Sequence, residues 1–276
     1  MSNARPQRNL GLFGLVILVL LLISEIFAAG ADRNRQQVVH ELDRELIAAR
    51  FASAIPEQWG EVVAGVKTRL ATNEKLLALT MDACGSPKGM GFDAELLAYL
   101  EREKIPATLF VSARWIEPNR EAFDRLSANP LFEIANHGYQ HKPASVTGRS
   151  VYGLDGTRNV TELIGEIELG AVKIATITGQ RPRFYRSGTA YYDEVAVQVA
   201  EALGQQVVGF SILGDKGATF TQDEVKKALL KAVPGDIIVV HMNHPESETR
   251  AGLMEAIPEL KKRGFRFVRL SEQSLR

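Results

Sequence analysis

Two histidines follow a short apolar run in the stretch FEIANHGYQH, residues 132–141. The arrangement recurs in IIVVHMNH, residues 237–244, where the apolar run ends directly on His241. A third apolar run, Leu76–Met81, leads straight into Asp82. In parallel α/β folds the carboxyl ends of the strands share one rim, so side chains from distant parts of the sequence gather there. The three stretches therefore predict an α/β fold with a histidine and carboxylate site at that rim.

Strand-like and helix-like stretches alternate from Leu76 onward. The predicted strands are Leu76–Met81, Ala107–Ser112, Phe132–Ala135, Arg183–Tyr185, Gln206–Ile212, Asp236–Val240 and Phe265–Arg269. The predicted helices are Asp93–Glu103, Asn119–Ala128, Val160–Thr178, Tyr191–Leu203, Gln222–Lys231 and Ala251–Arg263. This alternation with short connections indicates a parallel sheet. Seven strands favour a distorted or incomplete (β/α)7 barrel over one with eight strands, and a doubly wound open sheet is the alternative.

The first 31 residues have the order of a targeting segment. Arg5 and Arg8 precede the apolar stretch Leu10–Ile23, and small residues follow at 28–31. This order predicts a signal peptide. An uncleaved membrane anchor is the competing interpretation, because the apolar stretch nearly reaches the length that spans a bilayer. Either interpretation places the remainder of the chain outside the cytoplasm, in the periplasm or the extracellular space.

Residues 32–73 are interpreted as an N-terminal helical extension, either a helical neck or a packing element against the main domain, which covers residues 74–276. The apolar residues of this extension recur at helical spacing, and Val62, Val63 and Val66 continue that pattern. The chain carries 33 basic and 33 acidic residues, and no basic stripe with interleaved aromatic residues is present. Nucleic acid is therefore not an expected partner.

His137 and His141 are four residues apart, a spacing that suits two ligands of one metal ion on a helical turn or a tight loop. Zinc is the expected ion. A bound divalent ion lowers the pKa of its water to about 7 and so supplies a nucleophile without serine or cysteine. Asp82 is suited to take the proton of that water, and His241 to protonate the leaving group or to steady the oxyanion. Arg186 would hold Asp82 ionised.

Other mechanisms lack their residues. The chain contains no G-x-S-x-G elbow and no phosphate-binding glycine loop. Cys84 is the only cysteine, so no internal disulfide forms, and no neighbour in sequence marks its thiol as an activated nucleophile. The candidate polar residues instead follow the first, third, fourth, fifth and sixth predicted strands: Asp82, His137, Arg186, Asp215 and His241.

The order of these motifs resembles the polysaccharide deacetylases of the NodB-homology group, carbohydrate esterase family four, from Leu76 to Glu272. The family motif T-F-D-D corresponds to TMDA at residues 80–83, and H-S/T-x-x-H corresponds to HGYQH at residues 137–141. The motif R-x-P-Y keeps only Arg186. The apolar run that ends in histidine corresponds to VVH at residues 239–241.

The resemblance implies a distorted (β/α)7 barrel and metal-dependent removal of N- or O-linked acetyl groups from a glycan. It implies Asp82 as base, His241 as acid and Arg186 as the residue that tunes Asp82. It implies His137 and His141 as metal ligands. No organic cofactor is expected.

One position departs from the family pattern. Ala83 stands where the family has a second aspartate, which is its third metal ligand. Asp82, Cys84 or His244 could take that place, the metal could be weakly held or absent, or catalysis could be lost. We expect an exported, metal-dependent polysaccharide deacetylase that acts on an envelope or extracellular glycan with N-acetylated amino sugars. The alternative is a catalytically weakened, glycan-binding member of the same fold.

The targeting segment generates the first prediction. An export-dependent reporter fused after residue 40 should be active in cells, because the basic, apolar and small-residue regions direct translocation. A charge in the apolar stretch, Val16→Arg, should abolish reporter activity. Retention of the full-length protein in the cytoplasm would contradict the prediction.

Overall fold

The structure, a computed structural model, describes residues 43–276. The chain divides into two compact units, Met1–Ala49 and Arg50–Arg276. The predicted targeting segment and the first part of the predicted neck lie outside the described residues. Helix α1 covers residues 43–51. Within residues 43–276, no helix combines the length and the apolar character needed to cross a bilayer.

Among the described residues, eight strands form one sheet, and all their pairings are parallel. They are β1 (Leu76–Ala83), β2 (Ala107–Val111), β3 (Phe132–Asn136), β4 (Phe184–Tyr185), β5 (Gln206–Val207), β6 (Ile212–Leu213), β7 (Ile237–His241) and β8 (Arg266–Val268). The spatial order is β5-β4-β3-β2-β1-β7-β6, and β8 pairs with the first half of β1. Read from the β6 end, this is the cyclic order of a barrel that stays open between β5 and β6. The predicted incomplete (β/α)7 barrel is therefore confirmed, and the doubly wound alternative, whose order reverses at a switch point, is excluded.

Helices connect the strands along most of the sheet. They are α2 (Ala94–Arg102), α3 (Ala113–Ile116), α4 (Arg120–Ala128), α5 (Val160–Thr178), α6 (Glu194–Ala202), α7 (Gln222–Leu229) and α8 (Thr249–Lys262). A 3₁₀ turn covers Leu270–Glu272. Helix α5 has the predicted bounds because Asn159 caps its first turn through the amide of Glu162, and Gly179 ends it in the left-handed conformation.

The alternation of side chains along β1 separates two parts of the core. Leu77, Leu79, Met81 and Ala83 pack with apolar residues of the helices in the outer cluster. Leu76 and Ala78 pack with apolar residues of neighbouring strands in the inner cluster; these include Phe110, Ala135, Phe184, Val208 and Ile237. Because successive side chains point to opposite faces, Thr80 and Asp82 share the inner face with Leu76 and Ala78.

The predicted continuation of the neck helix through Val62, Val63 and Val66 is wrong. Residues 54–75 contain no helix, and Gly65 has a φ of 94° that interrupts helical geometry. Bends, turns and isolated bridges take the place of a helix, and several of the bridges pair this segment with the barrel.

Two pairings hold this segment at the barrel. Lys67 pairs with Val208 just after β5, and Arg69 pairs with Asp236 just before β7. The segment therefore lies beside both strands.

The predicted single strand Gln206–Ile212 is also wrong, because it is two strands at opposite edges of the open barrel. Residues 208–211 cross between those edges outside any named strand. The carbonyl oxygens of Val208 and Gly209 accept hydrogen bonds from the Arg186 side chain instead of joining a ladder. A buried cation thus redirects the backbone at this point.

Candidate active site

Asp82 lies next to the end of β1, and its carboxylate contacts a buried arginine. Arg186 Nη1 donates to Asp82 Oδ1 over 2.7 Å, and the Arg186 side chain has no exposed surface. Burial opposes ionisation of Asp82, but the Arg186 guanidinium, with His137 and His241, holds the pKa of Asp82 below its ordinary value. Asp82 is therefore an ionised carboxylate that can accept a proton.

Arg186 directly follows β4, and the N–H groups of its side chain donate hydrogen bonds to fixed acceptors. Its Nε donates to the carbonyl oxygen of Val208 over 3.0 Å, and Nη2 donates to that of Gly209 over 2.8 Å. Its Nη1 also donates to Thr80 Oγ1 over 3.0 Å, and its guanidinium lies 4.1 Å from the Phe110 ring centroid. These contacts hold the guanidinium in one orientation beneath Asp82.

His137 directly follows β3 and is 1% exposed. Its Nδ1 lies 2.9 Å from the carbonyl oxygen of Arg186, so this nitrogen is the protonated one and Nε2 carries the lone pair. Nε2 lies 3.8 Å from Asp82 Oδ2 and 3.8 Å from Cys84 Sγ. A histidine whose second nitrogen donates to a backbone carbonyl is oriented as metal-binding histidines are.

His141 belongs to a loop, not a helical turn, and has a φ of 63°. Its ring stands edge-on to that of His137, with centroids 4.8 Å apart. Its Nε2 is buried and has no hydrogen-bond partner. A Cβ at Gly188 would lie 2.3 Å from the carbonyl carbon and oxygen of His141, so only glycine allows the loop after β4 to pack there.

A buried carboxylate on α5 shapes the histidine loop. Glu166 accepts hydrogen bonds from the backbone amides of Gln140 and Lys142, at 2.9 to 3.1 Å. Burial, which outweighs these hydrogen bonds, raises the pKa of Glu166. The two amides lie on either side of His141, so Glu166 sets the path of the backbone at that residue.

Cys84 follows β1 directly and is partly buried. Burial opposes ionisation of its thiol, but the charge of His141, the contact with His137 Nε2 and the nearby His241 hold the pKa of Cys84 well below the ordinary value. The Cys84 sulfur and one ring nitrogen each of His137 and His141 lie within 4.8 Å of one another. The sequence did not mark this thiol as activated, because the histidines that surround it come from other strands.

His241 is the last residue of β7 and pairs in register with Asp82. Its Nδ1 lies 2.9 Å from Asp215 Oδ1, and its backbone amide donates to Asp215 Oδ2 over 2.6 Å. Thr249 Oγ1 also donates to Asp215 Oδ2, over 3.1 Å. Burial lowers the pKa of His241, but the charge and hydrogen bond of Asp215 dominate and raise it well above the ordinary value.

The structure brings together all five residues predicted for the site: Asp82, His137, His141, Arg186 and His241. Their roles stay predictions. His244 is not among them: the candidate metal-ligating group in the described residues is Cys84, His137 and His141, and His244 lies outside it, beside Glu246. The sequence analysis did not assign supporting roles to Glu166 and Asp215. Glu166 is one of two acidic residues, with Glu168, among the mostly apolar buried residues of α5, and these two charges were the available signal.

The family model of polysaccharide deacetylases matches residues 69–208, just over half of the chain. These residues include β1 to β5, and with them Asp82, Cys84, both loop histidines and Arg186. The chain belongs to the polysaccharide deacetylase family. This confirms the family that the sequence motifs resemble. Members of this family generally use a divalent metal ion.

Two relatives are each 26% identical to this polysaccharide deacetylase family member over the matched residues. The peptidoglycan-N-acetylglucosamine deacetylase of Bacillus cereus matches over 214 residues, which are 75% of this chain and 92% of that protein. The bifunctional xylanase/deacetylase of Pseudobutyrivibrio xylanivorans matches over 202 residues, 72% of this chain. The match covers only 30% of that larger protein.

The fold is also that of a carbohydrate esterase family 4 pseudoenzyme from Bacillus anthracis, whose crystal structure matches with a TM-score of 0.64. The match has 20% sequence identity and covers 77% of this chain and 69% of that one. The barrel therefore occurs in both active and inactive members of the family.

The contact between Gly188 and His141 generates the second prediction. Gly188→Ala should displace His141 and weaken zinc binding by about 10- to 100-fold, the usual cost of disturbing the support of a metal ligand. Competition with a chromophoric chelator measures this affinity. Gly165→Ala is the matched control, because a Cβ at Gly165 on α5 meets no atom within 4 Å. Equal zinc affinity of Gly188→Ala and the original protein would contradict the prediction.

Proposed function

We propose that this protein is an exported, metal-dependent hydrolase that removes acetyl groups from an envelope or extracellular glycan with N-acetylated amino sugars. One observation carries the proposal: an ionised carboxylate, two converging histidine nitrogens and a histidine with raised pKa meet at one rim of the barrel. The similarity to a peptidoglycan-N-acetylglucosamine deacetylase supports the choice of substrate class.

The residues present fit a divalent ion. His137 directs Nε2 into the site because its Nδ1 is engaged by a backbone carbonyl, and His141 Nε2 is a buried nitrogen without a partner. These two nitrogens would hold the ion, and zinc suits imidazole ligands. When bound, such an ion polarises the acetyl carbonyl and makes water a nucleophile near neutral pH.

Asp82 would act as the general base. Its Oδ1 is held by Arg186, and its Oδ2 lies on the side of His137, where it would accept the proton of the attacking water. The guanidinium keeps the carboxylate ionised, so the base is in its active state at neutral pH.

His241 would act as the general acid. Asp215 engages its Nδ1, which leaves Nε2 as the nitrogen that donates to the leaving amine of the sugar. The raised pKa of His241 keeps the ring protonated near neutral pH, as an acid requires. Asp82 and His241 are register partners on adjacent strands, so base and acid face one reacting carbonyl.

An aromatic group near the site supports a polymeric sugar substrate. Tyr191 lies with its ring centroid 5.6 Å from that of Tyr152 and 5.8 Å from that of Trp59. Tyr152 is 71% exposed, and Tyr191 belongs to the same loop as Gly188, which contacts His141. Aromatic faces with polar tips suit the mixed apolar and hydroxylated surface of a sugar ring.

A glycan-binding protein without turnover is the second candidate. One observation favours it: Ala83 is a buried, apolar residue where the family supplies a ligand. Metal content and acetate release from peptidoglycan, chitin oligomers and poly-N-acetylglucosamine, with and without chelator, separate the two candidates. Glycan binding without metal and without acetate release would support the second.

The roles of Asp82 and His241 generate the third prediction. Asp82→Asn and His241→Ala should each reduce acetate release by about 10²- to 10⁴-fold, the usual contribution of general acid or base help. Zinc content should stay near that of the original protein in both variants, because neither side chain is assigned as a ligand. Near-original deacetylation by both variants would show that the site is wrongly placed.

The aromatic group generates the fourth prediction. Tyr152→Ala should raise the KM for an acetylated glycan oligomer severalfold, since an aromatic contact is worth about 0.5–1.5 kcal/mol. The kcat should change little, because Tyr152 does not touch the reacting carbonyl. Met254→Ala, at an exposed position on α8, is the control. An unchanged KM for the oligomer would remove the aromatic group from the substrate site.

A further inference from the structure

We propose that Cys84 Sγ is the third protein ligand of the metal ion, so that the ion is held by one thiolate and two imidazoles. This inference rests on the proposed function for the presence of the ion, and it deepens that function by assigning the ligand set. The juxtaposition of the Cys84 sulfur with His137 Nε2 and the His141 ring carries it.

Side chains along β1 point alternately to the two faces of the sheet, which explains why residue 84 provides a ligand and residue 83 does not. Ala83 has no exposed surface and packs in the outer cluster with Met81. The next residue returns to the inner face, which Asp82 also occupies, so Cys84 faces the rim. The sulfur is in contact distance of His137, at 3.8 Å from Nε2.

The backbone that carries the thiol is held on both sides. Ser112 Oγ donates to the carbonyl oxygen of Cys84 over 2.7 Å. Gly85 follows with a φ of 69°, and a Cβ there would lie 2.5 Å from the backbone nitrogen of Trp115. Only glycine permits this close turn against α3. The position of Cys84 is therefore fixed by contacts on both sides of the residue.

The sulfur and the His137 nitrogen are separated by nearly the distance that zinc requires, and all three ligand atoms lie within 4.8 Å of one another. Tetrahedral zinc with a Zn–S bond of about 2.3 Å and Zn–N bonds of about 2.0–2.1 Å places S and N about 3.6 Å apart. The observed 3.8 Å between Cys84 Sγ and His137 Nε2 requires only a small adjustment. His141 Nε2, buried and without a hydrogen-bond partner, supplies the remaining donor.

The geometry favours Cys84 over the other candidate ligands. Among the described residues, the side chains whose ligand atoms lie within 4.8 Å of one another are Cys84, His137 and His141, and neither Asp82 nor His244 belongs to that group. Arg186 also binds Asp82 Oδ1, which suits this carboxylate to the role of base. A thiolate carries the same single negative charge as the carboxylate that the family uses, so the charge of the ligand set is preserved. The softer sulfur donor favours zinc over manganese, magnesium or calcium.

The test uses the full-length protein, freed of metal with a chelator and titrated with Co²⁺. A cobalt–thiolate bond gives a sulfur-to-metal charge-transfer band in the near ultraviolet, which carboxylate and imidazole ligands do not. We expect this band in the original protein, and its loss in both Cys84→Ser and Cys84→Asp. Cys84→Asp should still bind zinc, whereas Cys84→Ala should lose at least about 100-fold in affinity, because removal of a ligand costs more than removal of its support.

Circular dichroism identifies any variant that does not fold. The cobalt absorption spectrum of the original protein tests the inference without any variant. Absence of the band from a 1:1 cobalt complex would overturn the inference, even if that complex released acetate. Absence of any bound cobalt or zinc would overturn it as well. The band without acetate release from any glycan would uphold the ligand assignment while the proposed activity fails. His137→Ala should lose both the ion and the band.

Discussion

The contact between Arg186 and Asp82 is the interaction on which the site depends. Arg186 crosses the barrel interior from the end of β4 to β1, and every hydrogen bond it makes has a fixed acceptor. Removing one partner of a buried ion pair leaves an uncompensated charge and costs several kcal/mol, about 3–5. The same residue also orients His137, whose Nδ1 meets the Arg186 carbonyl oxygen. One residue therefore positions the base with its side chain and a metal ligand with its backbone.

The open edge of the barrel follows from the same side chain. Val208 and Gly209 turn their carbonyl oxygens toward Arg186, and the chain between β5 and β6 leaves the sheet there. Lys67 covers this region by pairing with Val208. Residues 54–75 are consequently part of the barrel unit and do not continue a helical neck. The buried guanidinium of Arg186 thus determines the path of the backbone at the open edge of the sheet.

Three successive residues at the end of β1 face different surroundings. Asp82 faces the interior and meets Arg186, Ala83 faces the helices, and Cys84 faces the histidines. In this backbone an aspartate at position 83 would enter the apolar outer cluster, where burying an unpaired charge is costly. In this backbone residue 84, and not residue 83, is the one that faces the histidines.

Local pattern determined much of this protein by itself. The apolar runs and their terminal polar residues specified the α/β class, the order of most elements and the rim on which Asp82, His137 and His241 meet, because strand ends of parallel folds share one edge. The α5 bounds followed from local capping by Asn159 and Gly179. The sequence could not assign Cys84, since its partners are contributed by β3 and its loop, far along the chain. The local pattern also led to two wrong predictions, a helix through residues 62–66 and a single strand over residues 206–212. The residues that follow the first of these stretches, 67–70, and residues 208–209 have hydrogen-bond partners far along the chain, and only the folded barrel brings those partners together.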